Sequence, residues 1–136
     1  RLKEAQSHLL ESSNPSVVNV GSIAGVTGIG SSIAYASSKG ALLNMTKSLA
    51  RALGPIRVNA ICPGFIQGDW LRNGLGDEVY EMVKEATEKS TPLKLTVTAD
   101  QVADSIIYFV EDAVTTTGET LLLDGGMHLG GPVPLK

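Results

Sequence analysis

Cysteine is all but missing from this chain. Cys62 stands alone among 136 residues, so no internal disulfide can form, and a reducing, cytoplasmic setting fits. Histidine is nearly as scarce: His8 and His128 lie too far apart for a metal-ligand spacing, which argues against a structural zinc. Aromatic residues make up only 4%, and no apolar run approaches the roughly 18 residues of a membrane span. The net charge is -3 with no block of one sign, so the sequence offers no basic footprint for nucleic acid and no patch for an anionic membrane. The charged, amphipathic start Arg1-Leu2-Lys3-Glu4-Ala5 reads as neither a signal peptide nor a span. Repeats and low-complexity linkers are lacking too.

What remains is the composition of a folded domain, 43% hydrophobic and 18% charged, in a length that fits one domain. Leu2, Ala5, Leu9 and Leu10 recur at helical spacing, with no capping residue ahead of them, so the chain reads as starting inside a helix. Asn14-Pro15 breaks that pattern, and Val17-Val18-Asn19-Val20 suits a buried parallel strand that ends at Gly21-Ser22. A small-residue loop with Gly25, Gly28 and Gly30 leads to a long amphipathic helix, about 34–53, with Leu42, Met45, Leu49 and Leu53 along one side. Gly54-Pro55 stops it, and Ile56 to Ile61 reads as a second strand closed by Pro63-Gly64. Residues 65–95 read as irregular apart from a helix at about 77–89. A helix capped by Thr98-Ala99-Asp100 then runs to Val110, and a last strand, Thr120 to Leu123, turns at Asp124-Gly125-Gly126. Alternating strands and helices predict an α/β layered fold with a parallel sheet. Asn44-Met45-Thr46 has the glycosylation pattern but falls inside the long helix, where it reads as chance.

Tyr35 and Lys39 are four residues apart at the start of the long helix, so they leave the same face one turn apart. An ammonium about 5 Å from a phenol, at an effective dielectric of about 20, favours phenolate by roughly 3 kcal/mol. Such a phenol is suited to general acid–base work, a role worth about 10² to 10⁴ in rate. Ser22 falls where a strand ends and a loop begins, the place where ligands settle in open α/β sheets, and its hydroxyl can donate to a carbonyl oxygen. Each feature alone has a plain reading, since exposed helices commonly carry Tyr and Lys four apart and serines after strands are often caps. Their joint placement, with Pro63-Gly64 at the next strand end, converges on one edge of a sheet.

The runs Val17 to Ser22, Tyr35-Ala36-Ser37-Ser38-Lys39, Arg57 to Gly64, and Thr117-Gly118-Glu119-Thr120 through Gly126 resemble the short-chain dehydrogenase/reductase family. The likeness covers nearly the whole chain and extends to the 13-residue step from Ser22 to Tyr35; within the family the chain resembles the 3-oxoacyl-carrier-protein reductase and sugar or steroid dehydrogenase branch. It implies a Rossmann-like doubly wound parallel sheet and an NAD(P)-dependent oxidoreductase that interconverts a secondary alcohol and a ketone. It also implies that Tyr35 exchanges a proton with the substrate oxygen, Lys39 assists it and binds the nicotinamide ribose, and Ser22 orients the carbonyl. Pro63, Gly64 and the backbone of Ile66 would sit against the nicotinamide, with residues 67–95 as a substrate lid. Trp70, Leu71 and Met82 would line the pocket or serve in packing. Partners would be a small alcohol or ketone and further copies of the chain, as a homodimer or homotetramer.

Two departures stand beside this likeness. The family's opening strand, Thr-Gly-x-x-x-Gly-x-Gly turn and residue choosing NAD or NADP are not in this sequence, so the chain is expected to be the C-terminal half, residues 1–136 forming one partial domain. Gly25-Val26-Thr27-Gly28-Ile29-Gly30 mimics the missing turn but lacks its spacing and its following acidic residue. Further on, Gly68 stands where the family usually has a cofactor-holding threonine. The alternatives are a non-catalytic binding or assembly module and an epimerase or dehydratase built on the same Tyr-Lys pair.

Overall fold

The computed structural model describes residues 2–130; Arg1, the first residue of the expected opening helix, and residues 131–136 lie outside the described residues. Three strands, β1 (Ser16–Val20), β2 (Arg57–Pro63) and β3 (Thr120–Leu123), pair in that order, all parallel. Val20 lies opposite Ile61, and Pro63 opposite Leu123, so the strands finish at one common edge. β2 is central and buried along its whole length, its polar Arg57 and Asn59 included, both of which are hydrogen-bonded.

Among the described residues there are six α-helices: α1 (Leu2–Leu10), α2 (Ala24–Thr27), α3 (Ile33–Ala52), α4 (Asp69–Leu75), α5 (Asp77–Ser90) and α6 (Ala99–Glu111). Strand alternation sends Ile61 to one face, where it joins Val97, Val102, Phe109 and Ala113 in the main apolar core, with Val18 and Leu121 against it. The opposite face meets α3: Asn19 donates to Thr46 Oγ1 at 2.9 Å, and Thr46 donates to the Leu42 carbonyl at 2.9 Å. Helices on both faces of a parallel sheet make the doubly wound arrangement expected from the sequence.

α6 starts on a capping box, Thr98 accepting from the Gln101 N–H while the Gln101 side chain accepts from the Thr98 N–H. Its far end is closed by the buried Arg57. The guanidinium donates to the carbonyls of Phe109 (2.6 Å), Val110 (2.9 Å) and Ala113 (2.9 Å), and to Asn14 Oδ1 (2.9 Å). The last carbonyls of a helix have no partner within it, and a cation there also meets the negative end of the dipole.

The structure departs from the sequence reading in three places. The apolar stripe on α3 is not its most buried line: Met45 is exposed, Leu42, Leu49 and Leu53 are half-buried, and the deep positions are Ala36 and Thr46. Small residues there let the helix backbone approach its neighbours. The glycine loop contains the four-residue α2, and residues 65–95 contain α4 ahead of α5. Neither short helix has a strong signal, since α2 is one turn of small residues and α4 includes Asn73 and Gly74, poor helix formers. α4 is held to α5 by Arg72, whose guanidinium meets Asp77 (2.9 Å) and Glu81 (2.6 Å) and lies 4.2 Å from the Tyr80 ring centroid.

Candidate active site at the C-terminal edge of the sheet

The loop after β1 is hydrogen-bonded onto the end of β2. Gly21 N–H donates to the Ile61 carbonyl at 2.7 Å, and Ile23 N–H to the Pro63 carbonyl at 3.1 Å, so Ser22 is fixed between two backbone anchors. Its hydroxyl oxygen accepts from the Ala24 N–H at 3.2 Å and its carbonyl from the Gly25 N–H at 3.0 Å, which starts α2. The bond from Ala24 thus uses one lone pair of the half-buried hydroxyl, whose proton can still be donated.

Tyr35 enters from the first turn of α3. Ser32, the N-cap, accepts from the Tyr35 N–H at 3.1 Å, which fixes where this residue falls on the helix. Tyr35 is 39% exposed, so substrate can reach it. One turn on, Lys39 Nζ lies 5.8 Å from the centre of that ring and donates to the carbonyl of Val20 at 2.9 Å. The lysine therefore spans from beneath Tyr35 to the last residue of β1, two residues before Ser22. Ser22 and the Lys39 ammonium thus lie at the edge where β1 ends, with Tyr35 one helical turn ahead of Lys39.

Pro63 and Gly64 complete the edge at the end of β2. Gly64 N–H donates to the Leu123 carbonyl at 2.9 Å, and a Cβ at Gly64 would lie 2.9 Å from that of Asp124, so the two strand ends touch where only glycine fits. Ile66 forms a parallel bridge with Val97 that uses the Gln67 N–H and the Phe65 carbonyl; the N–H of Ile66 itself points away from Val97. Trp70 (87% exposed) and Met82 (62%) stand on α4 and α5, while Leu71 is half-buried.

Two ionisable side chains at this edge were not singled out from the sequence. Cys62 is fully buried; burial pushes its thiol up, against the opposing pull of the Ser22 backbone and the Lys39 charge. Asp124 is also buried. Burial alone would raise its carboxyl, but the His128 N–H (2.9 Å), the His128 ring (2.8 Å) and the Gly126 N–H (2.9 Å) hold it below the ordinary range. The Asp-Gly-Gly turn was the available signal for Asp124; nothing local marks Cys62. A concavity of about 550 Å³ at the opposite edge, lined by Leu10, Asn14, Pro15, Pro55, Arg57 and Val114, sits beside a guanidinium already committed to four acceptors.

Residues 1–128 match the family described as enoyl-(acyl carrier protein) reductase. Ketoacyl reductase 2 of the granaticin polyketide synthase of Streptomyces violaceoruber is 44% identical over 126 residues, covering 92% of this chain and 49% of that protein. The short-chain dehydrogenase/reductase homolog YusR of Bacillus subtilis is 39% identical over 120 residues, 88% of each chain. Among solved structures, a short-chain dehydrogenase/reductase from Burkholderia xenovorans superposes with a TM-score of 0.81 at 37% identity, over 95% of this chain and 49% of that one. ElxO with NADP bound superposes with a TM-score of 0.75 at 30% identity, over 92% and 49%. Apart from YusR, the chain spans about half the length of these relatives.

Proposed function

Because the chain belongs to the short-chain dehydrogenase/reductase family, we propose that it carries the proton-transfer machinery of an NAD(P)-dependent oxidoreductase that interconverts a secondary alcohol and a ketone. One observation carries this reading. Lys39 lies under Tyr35 and is anchored to Val20 at the strand end that delivers Ser22. In the reducing direction, Ser22 Oγ–H donates to the carbonyl oxygen and holds it, and the Tyr35 hydroxyl gives that oxygen its proton. In the oxidising direction Tyr35 takes the proton back. Lys39 stabilises the negative charge left on the phenol.

A bound nicotinamide coenzyme supplies or accepts the hydride at the carbonyl carbon. The residues at this edge fit such a group: the Lys39 ammonium suits a ribose hydroxyl, the outward backbone of Ile66 suits the carboxamide, and Pro63 and Gly64 would lie against the ring. NADP in ElxO supports this cofactor class. Residues 67–95 form the lid, with Trp70 and Met82 presented to solvent on it. In the same reading the enzyme is cytoplasmic and assembles as a homodimer or homotetramer. Among the described residues no helix is long and apolar enough to cross a membrane.

The test uses the full chain with NADH and NADPH and a panel of 3-oxoacyl thioesters, simple ketones and secondary alcohols. Tyr35→Phe is expected to cut turnover by about 10² to 10⁴. Full turnover in that variant, or no coenzyme consumption by the wild type with any panel member, overturns the reading. A second reading, a binding or assembly module, is favoured by β1 standing at an edge of the described sheet with Val20 about half exposed. Saturable NADH binding would exclude it.

A further inference from the structure

The glycine run Gly25-Val26-Thr27-Gly28-Ile29-Gly30 copies a phosphate-binding turn without its spacing, and the proposed chemistry leaves it without a role. Its glycines are nevertheless unlike one another. A Cβ at Gly25 would lie 2.6 Å from the carbonyl carbon of Lys39 and 2.8 Å from the nitrogen of Gly40. One at Gly30 would lie 2.9 Å from the Ala24 Cβ and 3.2 Å from Cδ1 of the Tyr35 ring. Gly28 has a left-handed backbone (φ 75°), yet a Cβ there would meet nothing within 4 Å. Two glycines of the run therefore press on two different members of the site, and the third serves only the turn.

From these contacts we infer that Gly25 and Gly30 are positioning residues that set the spacing of the proton-transfer set. This rests on the reading that Ser22, Tyr35 and Lys39 act together. Gly25 is tied directly to the serine, since its N–H donates to the Ser22 carbonyl at 3.0 Å. The same residue touches the backbone that carries Lys39, so a single residue links the serine to the lysine. Carbon atoms rest about 3.5–4.0 Å apart, so a methyl at Gly25 must open that contact by roughly 1 Å. The contact is with main chain, which cannot swing aside as a side chain can. Gly30 acts on the other partner: its bare Cα leaves room for the Tyr35 ring, and a methyl there would push the phenol off its line or displace Ala24. A displacement of about 1 Å at reacting groups can cost about 10² in rate.

Four variants of the full chain test this, assayed with the coenzyme and panel substrate that give the highest wild-type kcat/KM. Gly25→Ala is expected to lower kcat about 100-fold and to raise the coenzyme KM as well, because it also shifts the ribose-holding Lys39, whereas Gly30→Ala is expected to lower kcat about 10-fold with KM nearly unchanged. Adding Ala24→Gly to Gly30→Ala removes the tighter of the two contacts and is expected to restore most of the lost kcat. Gly28→Ala strains the same loop without touching the site, and is expected to lower the melting temperature while sparing kcat. Equal kcat losses in all three alanine variants, losses that follow melting temperature, or failure of Ala24→Gly to rescue overturn the inference. Should Gly25→Ala not fold, Gly30→Ala with and without Ala24→Gly decides alone. Tyr35→Phe, run alongside, separates the two levels. Full activity there sinks the underlying reading, whereas an inactive Tyr35→Phe beside indifferent glycine variants sinks only the spacing role.

Discussion

The two faces of β2 are packed by opposite means. Toward α6, the contact is made by side chains: Ile61, Val97, Val102, Phe109 and Ala113 fill the space, and Arg57 closes the helix end. On the side of α3 and the catalytic loop, much of the contact is made by the lack of side chains. A Cβ at Gly21 would lie 2.8 Å from Cys62 Sγ and 3.0 Å from the Leu43 side chain, and Gly25 rests on the α3 backbone. A face filled by side chains contributes stability and is weakened by removing volume. One where main chains touch fixes distances and is disturbed by adding volume. The reactive groups stand beside the second kind.

The sharpest test of that contrast removes volume from the first face. Phe109→Ala is expected to cost about 3–5 kcal/mol in urea unfolding, while turnover per folded molecule stays near wild type. A large loss of turnover at temperatures where the variant is fully folded would break the division. Next in size is the converse: Lys39→Met should lower turnover about 10²-fold, the low end of what general acid–base catalysis is worth, with little change in melting temperature. Steady-state kinetics beside calorimetry would show whether the two effects separate.

A smaller effect lies where the faces join. Asp124 has a folded value below its unfolded one, so the stability it provides is complete at neutral pH and is lost as pH falls below about 4. Asp124→Asn should cost about 1–2 kcal/mol at pH 7 and flatten the acid limb of the stability curve, as urea titrations from pH 3 to 7 would reveal. The smallest change is expected at Gly68, the N-cap of α4, whose side-chain cap is lacking. Its backbone is extended and a Cβ would meet nothing within 4 Å, so threonine fits. Gly68→Thr should raise stability by a few tenths of a kcal/mol. It should tighten coenzyme binding by about 2- to 10-fold, the worth of one hydrogen bond, as measured by fluorescence titration.

The strand at Val17–Val20, the helix through Tyr35 and Lys39 and the Thr98 cap were legible because each is written in a few neighbouring residues: β-branched runs, helical period, a capping box. α4 was not, because seven residues with Asn73 and Gly74 carry almost no period, and its place depends on Arg72 reaching Asp77 and Glu81 on the next helix. The apolar stripe on α3 was legible as well, but not the deeper line through Ala36 and Thr46. Period shows which residues share a side of the helix, but not that Gly25 presses against its backbone.

By itself, then, the sequence determined the order of the elements, the one-turn step from Tyr35 to Lys39 and the strand end that bears Ser22, since all of these follow from local backbone preference. Only the tertiary structure decided that Lys39 reaches back to the Val20 carbonyl and that Ser22 is held by the end of β2. It also gave the glycine run a contact with the site in place of a phosphate. Apart from Gly30 and Tyr35, those facts join residues 14 to 40 positions apart in the chain. Such distances are set by how closely two backbones can approach once the sheet has formed, and no local pattern in a sequence encodes that separation.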